Sequence, residues 1–79
     1  MSEEPITCAL STIQIGQKAF LDRNFINRKL EKKLLALGFS DLIPVTVIHK
    51  RKSGVVVGIG NARIALDQTL ANQITVKVA

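Results

Sequence analysis

The sequence has few of the side chains on which catalysis and metal binding depend. Its 79 residues include a single cysteine, Cys8, and a single histidine, His49. One cysteine cannot form a disulfide within the chain, which fits a reducing cytosol. One Cys and one His also cannot complete a zinc site, which needs four ligands. We therefore expect no metal-binding residues, no cofactor and a cytoplasmic location.

Aromatic residues and long apolar runs are also scarce. Trp and Tyr are absent and only three Phe occur, so stacking of nucleic-acid bases is disfavoured. No apolar run approaches the ~20 residues of a membrane-spanning helix. The start, Met1–Glu4, is acidic where a secretory signal peptide is basic. These absences predict a soluble protein without membrane insertion.

The length bounds what the chain can enclose. A chain of 79 residues forms one domain at most. A domain of this size buries only ~60% of its unfolded surface and leaves no room for a large enclosed pocket. We expect no small-molecule substrate.

Nothing in the sequence resembles a catalytic constellation. A nucleophile needs a base within hydrogen-bonding distance, and His49 lies next to the cations Lys50, Arg51 and Lys52. The interior acidic residues show no paired spacing on one predicted element. These are Asp22, Glu31, Asp41 and Asp67. We therefore predict no enzymatic activity and no catalytic residues.

Positive charge is in excess. The chain has 11 Lys and Arg against 6 Asp and Glu, a net charge of +5. A basic surface attracts nucleic acid, acidic proteins or anionic lipid without choosing among them. The cluster His49–Lys52 lies at a predicted hairpin tip, where it either grips phosphate or is a solvated loop whose charges oppose edge-to-edge pairing. A small basic nucleic-acid-binding or regulatory barrel is therefore the alternative function.

Alternating apolar residues predict a mainly β protein with about five strands around an aliphatic core and one inserted helix. The inward positions are Ala19, Leu21, Val45, Val47, Ile64, Leu66, Ile74, Val76 and Val78. Gly58 and Gly60 are interpreted as glycines at a barrel corner, because the third glycine of a dinucleotide loop is missing and a strand follows. Residues 1–8 are predicted to be a flexible N-terminal lead-in, and residues 9–79 the folded domain.

One helix is predicted over residues 27–37. Asn27 is a suitable N-cap, and Gly38 followed by Phe39 fits a Schellman stop in which Phe39 packs on Leu34. The apolar face is formed by Ile26, Leu30, Leu34 and Leu37. Leu35 lies off this face, so either the N-terminal segment covers it or it is exposed for a partner.

The loop before Pro44 carries two large aliphatic residues, Leu42 and Ile43. Exposed apolar groups in a loop can mark a partner site. The other reading is that these two side chains plug one end of the barrel. The sequence leaves both open.

Several motifs, in this order and spacing, resemble the FeoA family. They are Leu10-Ser11, Gly16–Ala19, Leu34–Phe39, Val45–Val47, Ala62–Leu66 and Ile74–Val76. The resemblance covers about residues 9–78 and implies a small SH3-like barrel. It further implies a non-enzymatic accessory protein of ferrous iron transport that contacts the cytosolic, GTP-binding part of a membrane ferrous iron transporter. Related domains form the C-terminal module of iron-dependent repressors.

The partner surface is predicted from exposure and charge alone, since the resemblance supplies no functional residues. We expect it to include Leu35, Leu42, Ile43, Lys50, Arg51 and Lys52. Nucleic acid is disfavoured as a partner, and a homo-oligomer stays open. Direct Fe²⁺ binding, as in a metal sensor, is disfavoured because carboxylates and imidazoles are too few.

Overall fold

The computed structural model describes residues 7–78, which form one antiparallel sheet with a main helix and a short second helix. In chain order the elements are β1 (Thr7–Ala9), β2 (Lys18–Leu21), α1 (Arg28–Ala36), β3 (Val45–Arg51), β4 (Gly54–Ile59), β5 (Ala62–Asp67), α2 (Gln68–Gln73) and β6 (Thr75–Val78). The strands lie in the order β1-β6-β2-β3-β4-β5. Two 3₁₀ turns, Leu10–Thr12 and Arg23–Phe25, flank β2.

The predicted alternation places the aliphatic core correctly. Alternate residues are buried in β2, in β4 and in the first half of β3, because successive side chains of a strand point to opposite faces. Buried strand residues are Ala19, Leu21, Val45, Val47, Val55, Val57, Ile59, Leu66 and Val76. Leu30, Leu34 and Phe39 close this core from the side of α1. The mainly β, SH3-like fold predicted from the sequence is confirmed.

The sheet has six strands rather than about five. The additional strand, β1, pairs with β6, where Thr7 lies opposite Lys77 and Cys8 opposite Val76. Three residues are too few to show an alternating pattern, so the pairing partner defines this strand. The sequence analysis assigns Thr7 and Cys8 to the flexible lead-in, and both belong to β1. The rest of that lead-in, residues 1–6, lies outside the described residues.

The helix α1 begins and ends as its sequence predicts. The Asn27 side chain accepts a hydrogen bond from the Leu30 amide at 2.8 Å. At the other end, Gly38 has φ +103° and the Phe39 amide donates to the Leu34 carbonyl at 2.9 Å. This is the bonding pattern of a Schellman motif. Leu37 does not belong to the buried face; it is 38% exposed, because it is the C-cap residue that follows the last helical turn.

The strands β3, β4 and β5 form two successive hairpins with one irregularity. Val47 lies opposite Val57 and His49 opposite Val56, so Ile48 is an extra residue, a β-bulge. The β4–β5 turn has Gly60 at its first central position with φ +58°, as in type II′ turns. Gly60 and Asn61 therefore form the turn, and Gly58 lies inside β4.

The helix α2 covers the space between the two edges of the sheet. No ladder joins β1 to β5 within residues 7–78, but α2 contacts β1, β4 and β5. The Asp67 side chain caps α2 by accepting a hydrogen bond from the Leu70 amide at 2.7 Å. The barrel is therefore closed by a helix and not by strand pairing. No helix within residues 7–78 is long and apolar enough to cross a membrane.

Candidate functional site

Arg23 links three segments on one side of the molecule. Its Nε donates to Oε2 of Glu31 in α1 at 2.6 Å, and its Nη1 lies 3.9 Å from Oδ2 of Asp41 in the loop before β3. The hydrogen bond to Glu31, followed by the negative charge of that carboxylate, raises the pKa of Arg23 above its usual value. The 3₁₀ turn, α1 and the loop therefore meet at Arg23.

Three exposed apolar side chains lie beside this meeting point. Phe25 follows Arg23 by two residues, Leu35 lies one helical turn after Glu31 on the same side of α1, and Leu42 follows Asp41. They are 67%, 48% and 83% exposed, respectively. We call Phe25, Leu35 and Leu42 the apolar patch. Exposed large apolar groups on neighbouring segments can mark a protein-binding surface.

The structure bears on two alternatives that the sequence leaves open. Leu35 is 48% exposed, and residues 1–6 of the N-terminal segment that was expected to shield it lie outside the described residues. Leu42 and Ile43 are exposed and do not plug the barrel. Their role in partner binding stays a prediction. Sequence analysis missed Phe25, which lies in the 3₁₀ turn Arg23–Phe25 after β2, where no alternating strand pattern predicts that a large aromatic side chain is buried.

The basic cluster lies at the end of the β3–β4 hairpin, on different elements from the apolar patch. His49, Lys50, Arg51 and Lys52 are all exposed. Arg51 lines a shallow cavity of about 350 Å³ together with Leu66 and Asp67. The six predicted partner residues thus fall into two separate regions, the loop and helix on one side and the hairpin tip on the other.

The outer face of the sheet carries a groove of about 520 Å³, which the sequence analysis missed. Lys18, Thr46, Gly58 and Arg63 are successive cross-strand partners on β2, β3, β4 and β5. All four line the groove, together with Ile43, Pro44, Ile48, Gly60, Asn61 and Ala62. The groove could not be predicted from the sequence, because these four residues become neighbours only when the register of the four strands is known.

The acidic side chains of the described residues are engaged locally, whereas most cations are not. Asp22 is buried and accepts from the Asn24 amide, Asp67 caps α2, and Glu31 and Asp41 face Arg23. Of the eleven Lys and Arg, only Arg23 forms a salt bridge within residues 7–78. The accessible charge of this part of the molecule is therefore almost entirely positive.

The donor atoms do not assemble a metal site in the described part of the chain. No group of three His, Cys, Asp or Glu side chains within residues 7–78 could hold an ion. Cys8 is a half-buried free thiol on β1, and His49 is exposed on β3. The surfaces that the structure presents are suited to binding other molecules through apolar contact and positive charge.

A comparison with protein families decides the relationship. The model of the FeoA domain matches residues 8–78. The chain belongs to the FeoA family. FeoA domains are associated with ferrous iron transport, and the resemblance predicted from the sequence motifs is thereby confirmed. No curated protein sequence matches the chain significantly.

Solved structures show the same fold as this FeoA-family chain. The crystal structure of an iron uptake regulatory protein (FeoA) has a TM-score of 0.79 at 20% identity, over 94% of this chain and 100% of that one. Iron(II) transport protein A from Clostridium thermocellum has a TM-score of 0.75 at 27% identity, over 90% of this chain and 45% of that one.

A longer protein also contains this fold. A manganese-dependent transcriptional repressor has a TM-score of 0.78 at 20% identity, over 98% of this chain. The chain spans 44% of the repressor, so less than half of it corresponds to this domain. The FeoA-type barrel therefore occurs both alone and as one part of a larger protein.

Proposed function

We propose that this chain is a non-enzymatic, cytoplasmic accessory protein of ferrous iron transport, which binds the cytosolic, GTP-binding part of a membrane ferrous iron transporter. The observation that carries the proposal is the FeoA-domain match over residues 8–78. The similarity to iron(II) transport protein A, at 27% identity, supports the same assignment. Binding is the activity that the surface favours, because its exposed groups are mainly apolar and cationic, and no group of three His, Cys, Asp or Glu side chains that could hold a metal ion forms within residues 7–78.

The apolar patch is the proposed contact surface, and the adjacent Ile43 extends it. Phe25, Leu35 and Leu42 are exposed around Arg23, whose two ionic contacts hold their segments together. Burying exposed large apolar side chains stabilises a complex by ~1.5–3 kcal/mol each at most. A few such residues usually carry most of the binding energy of an interface.

Titration of the transporter's purified cytosolic domain into this protein, followed by isothermal calorimetry, tests the proposal. We expect saturable binding that Phe25→Ser and Leu42→Ser each weaken by about tenfold or more, since one hot-spot residue is worth ~1.4 kcal/mol or more. Ile15→Ser is the matched control, because Ile15 is also an exposed aliphatic residue but lies in the turn before β2. Absence of binding at high micromolar concentration would contradict the proposed function.

Nucleic-acid binding through the hairpin tip is the second candidate. It is supported by Lys50, Arg51 and Lys52, which are exposed and form no salt bridge within residues 7–78. Its affinity would fall by ~0.9 log units per log unit of salt for each duplex phosphate contacted. A gel-shift assay at low salt tests this candidate, and the lack of any shifted band there rejects it.

A further inference from the structure

The groove on the outer face of the sheet has a floor of backbone and a wall of apolar side chains. Gly58 supplies no side chain at its centre, and a Cβ added there would lie 3.0 Å from Cδ1 of Ile48. Ile48 is the bulged residue of β3, and the bulge brings its side chain over β4 beside Gly58. Ile43 and Pro44 form the wall at the start of β3. Bulges are over-represented beside functional sites, where they re-aim a side chain in this way.

The two ends of the groove are positively charged. Lys18 on β2 and Arg63 on β5 are exposed and line it, and no Asp or Glu side chain of the described residues does. Neither cation forms a salt bridge within residues 7–78. Two exposed cations at the ends of a groove with an apolar wall complement a ligand with an apolar middle and an anionic group at each end.

The register fixes the spacing of those anionic groups. Lys18 and Arg63 are separated by three inter-strand steps, so their Cα atoms lie about 14 Å apart at ~4.8 Å per step. An extended chain advances ~3.3 Å per residue, which makes this distance equal to about four residues. Since Lys and Arg side chains are long and flexible, two anionic groups about three to five residues apart on an extended chain can reach both Lys18 and Arg63.

The geometry points to this groove as a docking site for an acidic, extended protein segment that crosses the strands. Its two carboxylates, about three to five residues apart, pair with Lys18 and Arg63, and apolar residues between them contact Ile43 and Ile48. The site lies on the sheet and not at the apolar patch. It stands without the proposed role in iron transport, because it is argued from the groove and its charges alone.

Selection of a randomised linear heptapeptide library on the immobilised full-length protein tests the inference. We expect the selected sequences to be enriched in pairs of Asp or Glu about three to five positions apart, with aliphatic residues between them. An enriched peptide, titrated into ¹⁵N-labelled protein, should shift the amide signals of Thr46, Gly58 and Arg63. Failure to select any peptide, selection without acidic enrichment, or shifts confined to α1 or the hairpin tip would overturn the inference.

Charge reversal separates the groove from the overall positive charge. Lys18→Glu with Arg63→Glu should weaken the peptide by about tenfold or more, while Lys32→Glu with Lys33→Glu on α1, which changes the net charge equally, should leave affinity within about twofold. If the reversed pair disturbs folding, Lys18→Gln with Arg63→Gln gives the same comparison. The inference would be overturned if both double variants lost peptide affinity equally. It would also be overturned if a decathymidylate shifted the same amide signals and bound more tightly than the peptide.

The transporter titration keeps the two proposals apart. If the transporter domain does not bind but the acidic peptides do, the proposed function fails and the groove stands. If the transporter domain binds and acidic peptides do not, the groove fails and the proposed function stands.

Discussion

Among the glycines, Gly54 is the one at which neighbouring backbone atoms leave least room for a side chain. It is buried at the start of β4, opposite Asp67, and a Cβ there would overlap the carbonyl oxygen of Leu66. Backbone atoms in a paired strand cannot move without breaking the ladder. The reason for glycine at this position is therefore steric, since its φ is not positive.

We expect Gly54→Ala to lower the free energy of unfolding by about 2–3 kcal/mol, the upper part of the ~1–3 kcal/mol range for forcing extra atoms into a packed site. Urea denaturation measures the change. Gly58→Ala is the matched control, because its Cβ would meet only the tip of the Ile48 side chain, which can rotate away. That substitution should cost less than about 1 kcal/mol. A larger loss at Gly58 than at Gly54 would refute this account.

Asn27, the N-cap of α1, is another residue whose contribution to stability can be measured separately. The nine residues of α1 include Arg28 and Lys29 in the first turn, where the helix dipole disfavours cations. The hydrogen bond from the Leu30 amide to Asn27 offsets part of that cost.

Asn27→Ala should therefore destabilise the protein by about 1 kcal/mol, the usual cost of losing an N-cap. Asn27→Asp keeps an acceptor and adds a favourable charge, so its stability should equal or exceed that of the wild type. Thermal denaturation followed by circular dichroism measures both variants. A result in which Asp and Ala are equally destabilising would show that the cap does not act through its acceptor.

At the scale of elements, the sequence predicts the structure wherever the structure depends only on neighbouring residues. Val45 and Val47 alternate because one face of β3 is buried, and Asn27, Gly38 and Phe39 mark the ends of α1 by backbone chemistry that involves only neighbouring residues. The core and the main helix were therefore predictable. The turn between β4 and β5 was not predictable in the same way, because either Gly58 or Gly60 could begin it, and only the pairing of Ile59 with Ala62 identifies Gly60.

Elements that depend on distant partners were not predictable from the sequence. The strand β1 is three residues long and exists through its pairing with β6, almost seventy positions away in the chain. The basic groove requires the register of four strands. The apolar patch requires the contacts of Arg23 with α1 and with the loop before β3. Each of these features depends on contacts between segments that are distant in the chain, and no local sequence pattern marks those segments.

The contribution of β1 can be measured by comparing two truncated chains, one starting at Thr7 and one starting at Leu10. We expect the shorter chain to be less stable by about 1–3 kcal/mol, because it loses the ladder to β6 and the packing of Cys8 on the core. Its exposed β6 edge should also promote self-association. Urea denaturation and analytical ultracentrifugation measure the two effects. Equal stability of the two chains would show that β1 is dispensable.

At the scale of the whole molecule, the charges repel one another. The net charge is +5, and on α1 the like-charged pairs Arg28–Lys32 and Lys29–Lys33 are each four residues apart. Such pairs destabilise a helix by ~0.2–0.5 kcal/mol each. Screening of these repulsions should outweigh the weakening of the exposed Arg23–Glu31 pair, since surface salt bridges contribute little.

We therefore expect the melting temperature to rise as NaCl is increased from about 10 mM to about 150 mM, where the Debye length falls to ~8 Å. The Lys32→Glu, Lys33→Glu variant should show a smaller rise, because it removes both like-charged pairs. Differential scanning calorimetry at constant pH measures the two curves. A melting temperature that falls with salt would mean that attractive pairs dominate the surface.

The pairing of the first strand with the last has a consequence for how this domain can be joined to others. Thr7 lies opposite Lys77, so the two ends of the described chain meet within about 5 Å. A circular permutant that links residue 78 to residue 7 through a short glycine-serine linker, with new termini at the Lys52–Ser53 turn, would keep every strand pair. A domain whose first and last strands pair in this way can also be inserted into a loop of a host protein without separating the two parts of the host that flank the loop.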